Sequence, residues 1–599
     1  MSDTREYLEA LLARGDLVRQ ITGHKILQEQ PARYAETRRP LSRVLQEVLK
    51  SLHIPGLYTH QAEAVDRIRA GQDVVVTTPT ASGKTLVYNL PFLEKRLQDP
   101  DATAIYLFPL KALAQDQKKA LEGLTLHWPE HARPPVALYD GDTPDHVRAK
   151  IRRNPPAVLI TNPEMLHLGI LPNHERWTTF LASLSMIVLD EAHIYRGVFG
   201  AHMAGVLRRL DRLCARYNAH PVHVLCTATL GNPGQLGQLL LGLDREPPVV
   251  SQSGAPRGRR HMIFMEPENS PSTLAIQLLR SALKRELRTI VYCRSRRMTE
   301  LVSMWVSQQS QAIASRVSAY RAGYLPEERR EIEARMASGD LLAVISTSAL
   351  ELGIDIGALD VCILVGYPGS IMATLQRGGR VGRKGQESLV FLLGGEDALD
   401  QYFVRNPDEF FNRPPESAML NPDNPVILAR HLECAAAESM LRHSEKWTGT
   451  AQARQTIGDL ERQGLLLESA DGQGWLAARK KPQRQVSLRG SGESYQIVDG
   501  EGTVIGSVDA HQAFRETHPG AVYLHHGKSY TIKELDMGAR KAVAVPERVR
   551  WHTNVRTSKT TEIVETVCEG QVYGMKVCFG RLRVTEQITG YERRDNGTR

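Results

Sequence analysis

Residues 78–85 read Thr-Pro-Thr-Ala-Ser-Gly-Lys-Thr. A phosphate-binding loop asks for Gly, four residues, then Gly-Lys-Ser/Thr. Thr78 stands in place of the first Gly, so the local match is imperfect and an ordinary Ser/Gly turn competes with it. The residues that would do chemistry are present. Gly83 lets the backbone approach a phosphate, Lys84 supplies a point charge, and Thr85 offers a hydroxyl to Mg²⁺. The strand residues Asp73-Val74-Val75-Val76 precede the loop, and Leu86-Val87-Tyr88 opens a helix whose positive N-terminus faces the phosphates. Farther on, Met186-Ile187-Val188-Leu189 runs into Asp190-Glu191-Ala192-His193. The apolar run predicts a buried parallel strand. A carboxylate at such a strand end can hold the metal, and Glu191 can polarise water.

The elements that must position these groups follow from the apolar pattern. The chain has 599 residues, 42% hydrophobic and 24% charged, which is the composition of a water-soluble protein of several domains. No stretch approaches about 18 consecutive apolar residues, and the N-terminus lacks a signal-peptide core, so the expectation is no membrane span and a cytoplasmic location, nucleoid-associated in a bacterium. The net charge of +8 suits a polyanionic partner. Seven cysteines without a CxxC pair indicate neither a disulfide framework nor a zinc site.

Residues 1–56 read as a polar helical extension. Over 57–250, short β-rich runs such as 104–108, 157–160 and 222–225 alternate with helical patterns. This predicts a parallel sheet covered by helices, an α/β domain. A Pro-, Gly- and Arg-rich linker follows, then a second alternating block over 261–415 with strands near 289–293, 342–346 and 362–365. Residues 420–482 turn helical, with Leu428 to Leu441 amphipathic, and resemble a winged helix whose wing carries Trp475-Leu476-Ala477. Residues 485–599 read as a small β-rich domain, including a strand at 521–524 before a His526-Gly527 turn. Two consecutive α/β domains, only the first with a phosphate loop, suggest a motor with nucleotide between them.

Further segments resemble the superfamily 2 helicase motifs, in order. Tyr58-Thr59-His60-Gln61 resembles the Q motif, Thr227-Ala228-Thr229 motif III, and Gln376-Arg377-Gly378-Gly379-Arg380-Val381-Gly382-Arg383 the QxxGRxGR of motif VI. The resemblance implies two tandem RecA-like domains. It places Gln61, Thr80, Ser82, Gly83, Lys84, Thr85, Asp190 and Asp355 at ATP, with Thr85 and Asp190 holding Mg²⁺. Glu191, Gln376, Arg380 and Arg383 would serve hydrolysis, the arginines by stabilising charge on the γ-phosphate. His193, Thr227 and Thr229 would couple hydrolysis to movement. Pro109, Lys111, Thr161, Pro163, Arg294, Ser295 and Thr347 would contact the nucleic-acid backbone, where lysine, hydroxyls and amides carry no sequence information.

The flanking text Asp190 to Gly200, Asn421-Pro422-Asp423-Asn424-Pro425, His431 to Ala436 and His518 to Leu524 is similar to the mitomycin repair factor (MrfA) clade, which includes the mycobacterial SftH enzymes and fungal relatives of the RecQ helicases. That resemblance implies an ATP-dependent 3′→5′ DNA translocase and helicase in DNA repair. It implies a monomer acting on single-stranded or tailed duplex DNA, with room for a repair-protein partner. Members usually continue into a four-cysteine zinc domain; this sequence stops at Gly590-Tyr591-Glu592-Arg593-Arg594 before any such cluster, so either a truncated chain or a naturally short member is expected, without zinc. An RNA helicase remains open on the core motifs alone, although His193 in place of Asp leans away from the DEAD-box class. A nucleic-acid scaffold or defence-complex subunit with a dead motor is the non-enzymatic alternative, and a nucleic-acid remodelling subunit whose active motor requires a partner stays open. The presence of Lys84, Glu191 and Arg383 argues against a dead motor.

Overall fold

The computed structural model describes residues 3–308, 311–351, 356–382, 385–489, 494–525, 528–549 and 551–595. The chain divides into two compact units, residues 1–320 with 332–490, and residues 321–331 with 491–599. Among the described residues no helix is long and apolar enough to cross a membrane.

The N-terminal residues are more than a helical extension. Residues Ile21–Leu27 form a strand, β1, which pairs antiparallel with β9 (Arg260–Met265). The preceding helix Asp3–Leu12 buries Tyr7, Leu8 and Leu11 in the core beneath that sheet, together with Leu17. Tyr7 donates its hydroxyl to the Leu278 carbonyl at 2.7 Å and packs edge-on to Phe391. In contrast, Leu41, Leu45, Val48 and Leu49 join a core of the first α/β domain. Residues 1–56 therefore belong to two domains. The sequence reading missed β1 because an edge strand half exposed to water lacks the continuous apolar run of its central neighbours.

The first α/β domain holds seven strands: β2 (Val74–Thr77), β3 (Thr103–Leu107), β4 (Val136–Tyr139), β5 (Val158–Thr161), β6 (Leu184–Leu189), β7 (Val222–Thr227) and β8 (Val249–Val250), in the order β4-β5-β3-β6-β7-β2-β8. All pairings are parallel. Helices cover both faces, which is why β2, β3 and β5 are buried at every position. The order sets β6, β7 and β2 side by side. Their carboxyl ends therefore deliver Asp190, Thr227 and the 78–85 loop to one edge of the sheet.

The second sheet has the order β1-β9-β14-β13-β10-β12-β11, with β10 (Thr289–Tyr292), β11 (Val317–Tyr320), β12 (Ala343–Ser346), β13 (Val361–Val365) and β14 (Ser388–Leu393). Apart from β1 it is parallel. Here β12, β10 and β13 are neighbours, so Thr347, Arg294 and Tyr367 emerge together.

The winged helix consists of helices Pro425–Glu438 and Ala451–Arg462 and a small antiparallel sheet, β15 (Leu441–Arg442), β17 (Gly474–Ala477) and β16 (Leu466–Glu468). Asn424 and Thr450 cap the two helices through their side-chain oxygens. Leu441 lies in β15, beyond the first helix. That helix packs on Gly197–Arg216 of the first domain, where Arg209, fully buried, donates to Glu438 through Nε at 3.0 Å and again through Nη2.

The second unit is a five-stranded sheet, β19 (Val504–Asp509), β18 (Ser494–Val498), β22 (Lys541–Pro546), β21 (Lys528–Asp536) and β20 (Val522–His525), plus a long ribbon. It also takes in residues 321–331 from the second α/β block, a departure from the predicted 485–599 boundary. Arg321 lies between the rings of Tyr324 and Tyr523, 4.9 and 5.0 Å from their centroids, and donates to the Tyr523 hydroxyl at 3.0 Å. The ribbon pairs β23 (Trp551–Val572) with β24 (Met575–Asp595) and is exposed along nearly its whole length. Tyr573 and Gly574 turn it with φ of 50° and 78°, the two left-handed residues of a type I′ hairpin. The turn expected at His526-Gly527 lies outside the described residues.

Candidate nucleotide site

The 78–84 loop connects β2 to the helix Thr85–Gln98. Gly83 has φ of 76°, and a Cβ there would come within 2.6 Å of the Gln61 amide nitrogen, so only glycine fits. Ala81 is also left-handed, at φ 62°, a conformation that costs a residue with a Cβ about 1 kcal/mol or more. Gln61 donates to the Gly83 carbonyl at 2.9 Å and accepts from its own helix start at Tyr58 N at 2.9 Å. Its amide thus ties the 59–69 helix to the loop. His60 adds a second tie. Its Nε2 donates to the Ser82 carbonyl at 3.0 Å while Nδ1 accepts from Gly254 N at 3.2 Å. Burial pushes its pKa down to about 4, so the ring is neutral, as that bonding requires. Lys84 Nζ donates to the Thr78 and Pro79 carbonyls at 2.9 and 3.1 Å, the Thr78 and Ser82 hydroxyls meet at 2.7 Å, and Thr85 donates to Gln117 at 3.1 Å.

Asp190 and Glu191 follow β6. Asp190 accepts from Glu191 N at 2.8 Å. Burial first, then the Glu191 charge, raises its pKa to about 7, while Lys84 pulls the other way. Glu191 is left-handed at φ 52°, which turns the chain so that His193 faces back across the sheet edge. Burial holds the His193 pKa below the usual histidine value, so its ring is neutral. Its Nδ1 lies 3.5 Å from the Thr227 hydroxyl and 3.5 Å from a Glu191 oxygen. Its Nε2 accepts from the Gln376 amide at 2.9 Å. Thr77 donates to the Ala228 carbonyl at 2.9 Å, joining the loop strand to the 227–229 segment.

Gln376 comes from the second sheet, on the helix Ile371–Gly378. Ser370 caps that helix, and Glu416 accepts from Ile371 N and Met372 N at 2.6 and 3.0 Å. Arg380 is buried and donates to the Glu351 carbonyl at 2.6 Å; Arg377 pairs with the Glu351 carboxylate at 2.8 Å and lies over the Tyr292 ring. The predicted Arg383 and Asp355 lie outside the described residues. A cavity of about 270 Å³ between the two sheets is lined by Thr80, Ser82, Thr229, Gln376, Gly379 and Arg257, among others. A Cβ on Gly379 would clash with the Thr80 hydroxyl, so the two sheets meet closely here. The structure thus brings together Gln61, Thr80, Ser82, Gly83, Lys84 and Thr85 in one loop assembly, and Glu191, His193, Thr227 and Gln376 in one polar chain.

The residues expected along the nucleic-acid backbone fall into two groups. Arg294 and Thr347 line one cleft of about 360 Å³ in the second sheet domain, with Tyr367, Gly369 and Arg377. Arg294 donates to the Tyr367 carbonyl at 3.2 Å and pairs with the buried Asp400. Ser295 accepts from Met298 N at 3.1 Å and caps the helix Arg296–Ser307. On the first domain, Lys111 is half exposed and pairs with Asp142 at 2.6 Å, and the Pro109 carbonyl accepts from Arg489 at 3.3 Å. Pro163 starts a short helix capped by Asn162. Thr161 differs from expectation. Its side chain is buried and donates to the Tyr139 carbonyl at 2.6 Å, because β5 is interior on both faces. Any contact from Thr161 passes through its backbone.

Sequence reasoning missed His60, Gln117, Glu351, Asp400 and Glu416. His60 lies inside the quoted 58–61 motif and Glu351 four residues beyond the predicted Thr347, so their positions were a signal. Gln117, Asp400 and Glu416 act from helices and a linker with no spacing pattern of their own.

Comparison with known proteins agrees with this geometry. The DEAD/DEAH box helicase family matches residues 58–236, the helicase conserved C-terminal domain 272–385, and the winged helix domain of ATP-dependent helicase HRQ1 420–491. The chain is 40% identical to the ATP-dependent helicase YprA of Bacillus subtilis over 89% of this chain and 73% of YprA. It is 33% identical to ATP-dependent helicase HRQ1 of Saccharomyces cerevisiae over 94% of this chain and 54% of HRQ1, so it spans about half the length of that relative. The crystal structure of the DUF1998 helicase MrfA bound to DNA superposes with a TM-score of 0.89 at 36% identity, covering 99% of this chain and 80% of that one. With DNA and AMPPNP bound, MrfA gives 0.88 over 99% and 82%. The two RecA-like domains, the HRQ1-type winged helix and these relatives together show that the chain belongs to the superfamily 2 helicases of the YprA, HRQ1 and MrfA clade, and is a nucleic-acid-dependent ATPase.

Proposed function

We propose that the chain is a DNA motor that uses ATP to translocate 3′→5′ along single-stranded DNA and to unwind tailed duplexes in DNA repair. The observation that carries this reading is the polar chain Thr227–His193–Gln376, which crosses from one RecA-like domain to the other beside the phosphate loop. Any change in the spacing of the two domains is felt at Glu191 through His193. DNA as the track is supported by the MrfA structures, which contain DNA. Polarity and the repair role rest on the clade resemblance.

In this reading Lys84 neutralises the β- and γ-phosphates and Glu191 orients the attacking water. The buried Asp190 carboxylate and the Thr85 hydroxyl suit Mg²⁺, a hard cation that takes oxygen donors. Among the described residues one donor, Glu191 N, reaches the Asp190 carboxylate, and burial holds it toward neutrality, an environment that a cation relieves. Bound there, the ion would offset the charge of the triphosphate. Arg380 leaves the Glu351 carbonyl and, with Arg383, meets the γ-phosphate as the domains close. Gln61 reads the adenine edge, and Asp355 faces the same cleft. Lys111, Arg294, Thr347 and the backbone at Pro109, Thr161, Pro163 and Ser295 alternate their grip on the strand. The winged helix and the β23–β24 ribbon guide or part the duplex. The chain acts as a cytoplasmic or nucleoid monomer, with a repair protein as its partner.

Steady-state ATP hydrolysis with Mg²⁺ tests this, alone and with single-stranded DNA, duplex DNA or RNA. Single-stranded DNA should stimulate turnover strongly. Lys84→Ala should abolish turnover, and Glu191→Gln should keep ATP binding while losing on the order of 10²-fold or more in rate. Stimulation by RNA alone would move the chain to the RNA helicases, and brisk hydrolysis by either variant would sink the residue roles.

A further inference from the structure

The chain passes between the two RecA-like sheets twice beside the nucleotide cavity. The linker is one passage. The other is the segment after β1, and the two pair as a short antiparallel ribbon. Gln30 N donates to the Arg257 carbonyl at 2.8 Å and Arg257 N to the Gln30 carbonyl at 2.9 Å. Arg33 N donates to the Gly254 carbonyl at 2.8 Å, and Thr59 N to the Arg33 carbonyl at 3.0 Å. A Cβ on Gly254 would clash with the Thr59 hydroxyl, so the ribbon lies tight against the start of the Gln61 helix.

Two arginines of this ribbon line the cavity, Arg257 on the linker and Arg260 at the first residue of β9. Each donates to one carbonyl, Arg257 to Gln28 at 3.2 Å and Arg260 to Val381 at 3.0 Å. The Nε of each is buried with no hydrogen-bond partner among the described residues. Among the described residues the partners of these side chains are those carbonyls, and no carboxylate pairs with either. Burial, then the charge of Arg257, pushes the Arg260 pKa down to about 10. Two neighbouring guanidiniums, Arg260 the more deeply buried, with no described acid between them and donors left over are costly. An anion in the cavity removes that cost. The facing wall is Thr80 and Ser82 of the phosphate loop.

We propose that Arg257 and Arg260 are nucleotide-binding residues that hold the polyphosphate from the ribbon side, facing Thr80 and Ser82 of the phosphate loop. The inference rests on the ATPase reading and adds to it a binding wall that lies outside the helicase motifs. Because that wall is carried by the linker, which pairs with the segment after β1, nucleotide draws the ribbon toward the phosphate loop.

Titration of the full chain with fluorescent adenosine mono-, di- and triphosphate tests the proposal. Arg257→Gln and Arg260→Gln should each weaken triphosphate binding by about tenfold or more, as expected for a charge-assisted hydrogen bond to phosphate. The loss should shrink with fewer phosphates and fall to about twofold or less for the monophosphate. Arg260→Lys should recover most of the affinity. An equal loss for all three nucleotides, which a distorted hinge would give, overturns the proposal, as does unchanged triphosphate affinity. If the wild-type chain binds no nucleotide, the ATPase reading itself falls and this one with it; wild-type binding with unaffected variants removes only the role of the arginines.

Discussion

Two buried histidines show how neighbours set the charge of one side chain. His193 faces an amide donor and a hydroxyl and is held neutral by burial, which suits a relay between the domains. His223 meets the opposite surroundings. Its Nδ1 lies 3.1 Å from Asp73 and its Nε2 3.1 Å from Asp211, and these two carboxylates outweigh burial and raise its pKa to about 10. The folded pKa lies above the ordinary value of about 6.5, so the charged ring stabilises the fold fully below that pH. The contribution declines as pH rises and is gone above about 10. Removing the cation leaves two facing carboxylates near the start of β2 and β7. His223→Gln should therefore destabilise the first RecA-like domain by about 3 kcal/mol at pH 7. Wild type and variant should converge toward pH 10 in thermal unfolding followed across pH. A gap in Tm that stays constant from pH 6 to 10 would show that the ring contributes by packing and not by charge.

At the scale of elements, the dock between the winged helix and the first domain depends on histidines that must stay neutral. His167 accepts from Arg209 at 2.8 Å and contacts the Gln483 carbonyl at 3.1 Å; His202 and His431 meet at 3.0 Å; His174 joins Tyr217 to the Glu438 carbonyl. Arg209, Arg208 and Arg430 face this cluster, and the carboxylate of Glu438 is already paired with Arg209. Burial, then the Arg209 charge, pushes His167 down to about 3, and burial, then Arg430, pushes His202 to about 4. For a histidine whose folded pKa is depressed, stability is present above about 6.5 and is lost as pH falls. At pH 5 the cost is about 2 kcal/mol per such histidine. Hydrogen exchange along Pro425–Glu438 should accelerate between pH 7 and 5 relative to Ala451–Arg462, once intrinsic rates are corrected. His167→Asn should blunt that difference, and an unchanged profile in the variant would refute the assignment. None of this dock was legible in the sequence. A buried His-Arg cluster is assembled from the 166–170 turn and the 197–216 and 425–438 helices, with no spacing to announce it. The parallel strands and the loop at 78–85 were legible, because a strand buried on both faces writes a continuous apolar run and a phosphate loop needs glycine and lysine at fixed offsets. Thr161 shows where that reasoning fails. Motif position alone does not tell whether a hydroxyl faces solvent or the sheet interior.

At the scale of the larger unit, the N-terminal residues decide whether its two RecA-like domains are complete. Tyr7, Leu8, Leu11 and Leu17 fill the core under β9 and β14, and β1 covers an edge of β9 that would otherwise present unpaired amides and carbonyls. The family match to the second domain begins at residue 272, so these contributors lie far outside the segment that sequence comparison marks. Burial of four such side chains amounts to roughly 6–12 kcal/mol, comparable with the whole stability of a domain. Deleting residues 1–19 from the chain should therefore split thermal unfolding into two transitions. The second RecA-like domain would melt first and expose apolar surface to a dye such as ANS, while the first, whose cores contain none of these four residues, keeps its own transition. ATP turnover should fail at the temperature of the earlier transition, because Gln376 and Arg380 leave with the second domain while Lys84 and Asp190 remain folded. A single unshifted transition in calorimetry would mean that the second domain folds without the helix Asp3–Leu12, and that the N-terminal contribution to its core is dispensable.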